Sequence, residues 1–181
     1  MKHGIIFFVL LLSMKSISAQ DFVREIDPKT EKVMLRGKIT FNDLLNETTF
    51  SWLKKGAEAY QPQQKVVDNL HIMVGDYRFI VFAGTWCGDT KELLPKFYKV
   101  LVDAGVDLNA VEMFAVNRQK EALNIEKTLY SIVNVPTIIV MHQFREVGRI
   151  VESVPTSIEE ELVKIIQKDY EALQAEKARM R

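Results

Sequence analysis

The stretch Phe79–Thr90 reads FIVFAGTWCGDT. An unbroken apolar run ends at Gly84-Thr85-Trp86, and the only cysteine of the chain, Cys87, follows at once. Together with Tyr77 and Arg78, the run Tyr77–Ala83 predicts a strand buried on both faces. Gly84 and Thr85 turn the chain, and Thr90–Ala104 carries Leu93, Leu94, Phe97, Val100 and Leu101 at helical spacing. A strand that passes through Cys87 into a helix sets the thiol at the helix N-terminus. There the unpaired backbone N–H groups and the helix dipole welcome an anion. The carboxyl end of a strand is also where open α/β folds place their sites.

Outward from this point the elements alternate. Pro62 opens a helix bearing Val66, Val67, Leu70, Met73 and Val74. After the Thr90–Ala104 helix, stopped by Gly105, come an expected strand over Leu108–Val116 and a helix over Glu121–Val133. Two more strands, Pro136–His142 and Glu146–Glu152, are separated by a short turn. A long final helix follows Pro155, with Thr156 or Ser157 as its cap and Glu159, Glu160 and Glu161 in its first turn. This order predicts an α/β fold with a mixed sheet of about four strands and helices on both faces. Residues 20–60 are weakly patterned, with a short strand over Lys32–Ile39 and helical pieces over Phe41–Tyr60, and read as an N-terminal extension. Residues 61–170 form the main domain, and 171–181 a charged C-terminal tail that frays.

The first residues have another character. A short basic start, the apolar run IIFFVLLL over Ile5–Leu12 and a small, polar stretch to Ala19 read as a signal peptide over 1–19. The run is too short to span a bilayer, which takes about 20 residues. The expected location is therefore outside the cytoplasm, periplasmic or secreted, with a bacterial envelope favoured. The whole chain balances 24 basic against 24 acidic residues, so nothing points to nucleic acid. Export implies an oxidising compartment, yet one cysteine cannot form an internal bridge.

The motifs resemble those of the thioredoxin family. Its members carry Trp-Cys-Gly-Pro-Cys-Lys, a proline eight residues after the first cysteine, a cis-proline before the third strand and a glycine in the fourth. Here Trp86, Cys87, Gly88 and Lys91 fit the first motif, Pro95 the second, Val135-Pro136-Thr137 the third and Gly148 the fourth. The resemblance covers about Gln61–Gln167. It implies a thioredoxin-like fold, thiol–disulfide chemistry at Cys87, and a substrate groove formed by Trp86, Val135, Pro136 and Thr137. Two departures qualify it. Thr90 stands in place of the second, resolving cysteine, and Val81 stands where many members have a buried aspartate that serves that cysteine. The two losses agree with each other, because a buried carboxylate with nothing to serve only costs desolvation.

A lone thiol forms mixed disulfides that an external thiol must release. The expected partners are therefore protein or small-molecule thiols and disulfides. Thr90, one helical turn from Cys87, is a candidate hydrogen-bond donor to the sulfur or a plain helix residue. Gly88 and Asp89 modulate the site, and the Asp89 carboxylate opposes a thiolate. Trp86 is either a lid over the groove or a packed side chain. Pro136 either frames a peptide site, leaving the backbone of Val135 free to pair with an extended substrate, or is a structural turn. His71 and His142 stand alone in sequence, so no metal is expected, and no cofactor is called for. Two functions remain: an exported monothiol redox protein, or a non-catalytic module that holds a peptide or protein at the cis-proline groove. The mature chain is expected to be a monomer without a membrane span, with a covalent dimer through Cys87 open.

Overall fold

A computed structural model describes residues 21–180. The expected signal peptide lies outside them. The central strand is β3 (Tyr77–Ala83), of which only Arg78 is exposed. It pairs in parallel with β4 (Val111–Ala115), Val81 opposite Met113, and antiparallel with β5 (Thr137–His142), Val81 opposite Ile138. β5 continues through a hairpin into β6 (Arg145–Val151).

The sheet has six strands, not about four. β1 (Phe22–Ile26) and β2 (Val33–Ile39) form an antiparallel hairpin, and β2 pairs antiparallel with β4, giving the order β1-β2-β4-β3-β5-β6. The segment expected as an N-terminal extension thus adds two strands, over residues 22–39, to the main sheet. Leu35 and Ile39 of β2 lie in the same core as Phe79 and Val81 of β3. At Gly37 φ is +120°, and a Cβ there would stand 2.5 Å from the Asp21 carbonyl oxygen, so only glycine fits this crossing.

Alternation along β3 divides the interior. Phe79, Val81 and Ala83 face the larger core with α1 (Phe41–Leu45), α2 (Trp52–Ala59), α3 (Gln64–Met73), α4 (Gly88–Asp103) and α6 (Ile158–Arg179). Ile80 and Phe82 face a smaller cluster with Phe114, Ile139, Val135 and Cys87. On that side the expected helix over Glu121–Val133 shrinks to α5 (Glu126–Leu129). The reason is local. The Asn117 side chain accepts from Gln119 N and Glu121 N at 2.9 and 3.0 Å, and Lys120 and Ser131 take positive φ. Side-chain turns of this kind outcompete the helix. Helices therefore dominate one face, and a long loop covers much of the other.

α4 ends as its sequence predicts. Gly105 has φ +67°, Val106 N donates to Leu101 O at 2.9 Å, and Gly105 N donates to Val102 O at 3.0 Å. Pro95 lies inside α4 against Gly56 of α2. α6 begins at the Ser157 cap, whose hydroxyl accepts from Glu160 N at 3.3 Å, and runs through most of the expected tail. Among the described residues no helix is long and apolar enough to cross a membrane.

Candidate functional site

β3 ends at Ala83, and the turn 84–87 delivers Cys87 to the N-cap of α4. Cys87 N donates to Gly84 O at 2.8 Å, which closes this turn. The Cys87 side chain makes no capping hydrogen bond, so the thiol is left to other partners. It lies 3.3 Å from Val135 O, to which it donates, and 3.9 Å from Asp89 Oδ2. Cys87 keeps 9% of its surface exposed. A Cβ on Gly88 would meet nothing within 4 Å, so the space beside the first turn of α4 is open.

The Val135–Pro136 peptide bond is cis, and the segment is tied down on both sides. Glu152 N donates to Pro136 O at 2.8 Å. The buried Thr137 hydroxyl donates to Asn134 O at 2.7 Å. The loop and the thiol thus meet, although 48 residues separate Cys87 from Val135 in sequence. The sequence reading left Val135's backbone free for a substrate. In the structure its carbonyl already accepts the thiol's hydrogen bond, so an incoming chain must compete for it.

Thr90 differs from the expectation. It is fully buried, and its hydroxyl accepts from Gly84 N at 3.2 Å. It braces the turn that carries Cys87 rather than bonding the sulfur. Its buried oxygen satisfies a backbone donor that an apolar residue would leave unpaired.

Trp86 is packed rather than lid-like. Its Nε1–H donates to Val116 O at 2.8 Å. Its ring lies so close to Gly84 that a Cβ there would come within 2.8 Å. The Arg118 guanidinium lies 4.6 Å from the ring centroid.

Sequence reasoning missed Arg118 and its partner Asp27. Asp27 is fully buried in the β1–β2 turn. Arg118 Nε and Nη2 donate to its two oxygens at 2.5 and 2.8 Å, across 91 residues of sequence. Hydrogen bonding from Arg118 holds the Asp27 carboxyl well below the usual carboxylate range, with Thr30 and Lys29 N adding to the effect against the opposing desolvation. The Asp27 hydrogen bond raises the Arg118 pKa in turn, and electrostatic coupling to Cys87 contributes to that rise. Asp27-Pro28 carried only a turn signal in the sequence, and Arg118 none.

No family model matches the chain, and no curated protein matches it. Among solved structures, a Pseudomonas aeruginosa protein of unknown function superposes at TM-score 0.55 with 14% identity, over 73% of this chain and 93% of its own. An HIV epitope-scaffold superposes at 0.54, also with 14% identity, over 72% and 93%. These two likenesses speak for the fold alone. Mitochondrial thioredoxin 3 of Saccharomyces cerevisiae is 19% identical over 62% of this chain and 98% of its own. Its TM-score of 0.37 is too low to carry an argument.

Proposed function

We propose that the chain is an exported thioredoxin-like protein that performs monothiol exchange at Cys87. The observation that carries this reading is the placement of the Cys87 sulfur at the α4 N-cap, 3.3 Å from the carbonyl that precedes Pro136. The motif resemblance supports it, and the apolar run over residues 5–12 supports export.

The Cys87 thiol gives its proton to solvent, and the thiolate attacks one sulfur of a disulfide. The S–S bond breaks, a mixed disulfide forms on Cys87, and the second sulfur leaves as a thiolate. An external thiolate then attacks the mixed disulfide on the partner's sulfur and frees Cys87. No second cysteine competes for this step, because the chain has none. Helix N–H groups at Gly88 and beyond offset the negative charge while the sulfur is ionised.

Mass spectrometry of the protein incubated with a small disulfide tests the reading. One adduct is expected on the wild type and none on Cys87→Ser, with full release by an added thiol. Failure of the folded wild type to take up the adduct overturns it. A second reading, a non-catalytic binding module, draws on the small exposure of Cys87 and its hydrogen bond to Val135. Retention of the same partner proteins by wild type and Cys87→Ser would favour it.

A further inference from the structure

A small cleft of about 90 Å³ opens beside the turn that carries Cys87. Its walls come from two distant parts of the chain. The β1–β2 turn supplies Lys32, the turn before α2 supplies Thr49, α2 starts with Trp52, and the Cys87 turn and α4 supply Thr85, Trp86 and Lys91. Residues 27–52 thus build one side of a recess next to the turn that carries the thiol.

The chemistry of this recess is one-sided. Lys32 and Lys91 are both exposed, and among the described residues neither has a carboxylate within ion-pair distance. Asp27 is the one carboxylate in the lining, and Arg118 already neutralises it through two hydrogen bonds. The lining therefore carries an uncompensated positive charge on both lysines. Trp52 adds an independent sign. Its indole Nε1 is buried and is the only such side-chain donor among the described residues without a hydrogen-bond partner. Buried donors are nearly always satisfied, so an orphan on a side chain that lines a cleft points to an acceptor from outside the chain. A recess of this size takes a single small group such as a carboxylate.

We propose that this cleft binds a carboxylate carried by the disulfide or thiol that exchanges at Cys87. The proposal rests on the exchange reading given above. Lys32 and Lys91 would stand at the rim, with the Trp52 N–H as donor and Trp86 in the wall beside the Cys87 turn. The substrate class is then an acidic thiol or its disulfide, selected by Lys32, Trp52 and Lys91 together.

Three aliphatic disulfides of similar size test this: dithiodiglycolate (anionic), hydroxyethyl disulfide (neutral) and cystamine (cationic). Rates of adduct formation at low ionic strength are compared in the full wild-type chain and in Lys32→Gln/Lys91→Gln. The double variant should slow dithiodiglycolate by about fivefold per lysine, leave hydroxyethyl disulfide unchanged and speed cystamine. Added salt should erase the differences. Trp52→Phe, a conservative change, should slow dithiodiglycolate alone. A cystine-bridged acidic peptide separates the sources: slowing there as well assigns a protein substrate, and slowing confined to dithiodiglycolate assigns a free acidic thiol. Equal changes for all three small disulfides, or none, would overturn the carboxylate site while leaving the exchange reading intact. Absence of any adduct on the wild type would overturn the exchange reading itself.

Discussion

Arg118 grips Asp27 through two hydrogen bonds of 2.5 and 2.8 Å, and the same guanidinium lies 4.6 Å from the centre of the Trp86 ring. One side chain thus joins the β1–β2 turn, the loop after β4 and the residue before Cys87. Replacing Arg118 with Gln should leave a buried carboxylate without its counter-charge, which is more damaging than the loss of an exposed pair. The thermal midpoint should fall, and Trp86 fluorescence should shift as the ring loses its cover. An unchanged midpoint would mean that the pair is ornamental.

The same pair sets an acid limit. Asp27 is held below its ordinary range by Arg118, and Asp169 is also lowered, by hydrogen bonds from Arg145, His142 and Tyr77 that outweigh its desolvation. For a carboxylate with a depressed folded pKa, the stability is fully present above the unfolded value of about 3.9. It is lost as pH falls through that value toward the folded one. Urea midpoints measured downward from neutral pH should therefore drop steeply in the acid range. Asp27→Asn should be less stable at neutral pH and show a shallower acid limb.

The hairpin of β1 and β2 is part of the structural core. Leu35 is fully buried in the larger core, so Leu35→Ala should cost about 2–5 kcal/mol in urea unfolding. A cost near zero would make the segment a dispensable appendage. Its first strand was not legible because β1, FVREI, is an edge strand with no buried residue and so lacks the apolar alternation that marks a strand. β3 was legible to the residue because it is buried on both faces. The Glu121–Val133 segment misled for the opposite reason. Ala122, Leu123, Ile125 and Leu129 suggest a helix, but the Asn117 turn prevents it and Ile125 and Leu129 end up exposed.

Gly56 meets Pro95 where α2 crosses α4, and a Cβ there would come within 2.7 Å of the Pro95 ring. Glycine to alanine in a helix interior ordinarily gains about 1 kcal/mol. Here overpacking against a rigid ring costs about 1–3 kcal/mol, so Gly56→Ala should be neutral to destabilising. A clear gain in the urea midpoint would show that the two helices separate freely.

Thr90 follows Cys87 by three residues, and its hydroxyl is committed to Gly84 N. Its identity was plain in the sequence, whereas its partner depended on the turn folding back. Thr90→Cys should lose about 1 kcal/mol with that hydrogen bond. It should also gain an internal disulfide with Cys87 and speed insulin reduction by a dithiol beyond the wild-type rate. Absence of both would mean that the turn holds the two side chains apart.

In the proposed exchange, folding presents the Cys87 sulfur for reaction despite its small exposed surface. The most direct measurement is the rate of adduct formation with hydroxyethyl disulfide in the native protein, set against the same protein unfolded in urea, after correction for the effect of urea on a free thiol. The folded protein is expected to react at least as fast as the unfolded chain. Native reactivity suppressed by orders of magnitude, and recovered in step with global unfolding, would contradict it and leave Cys87 as a core residue.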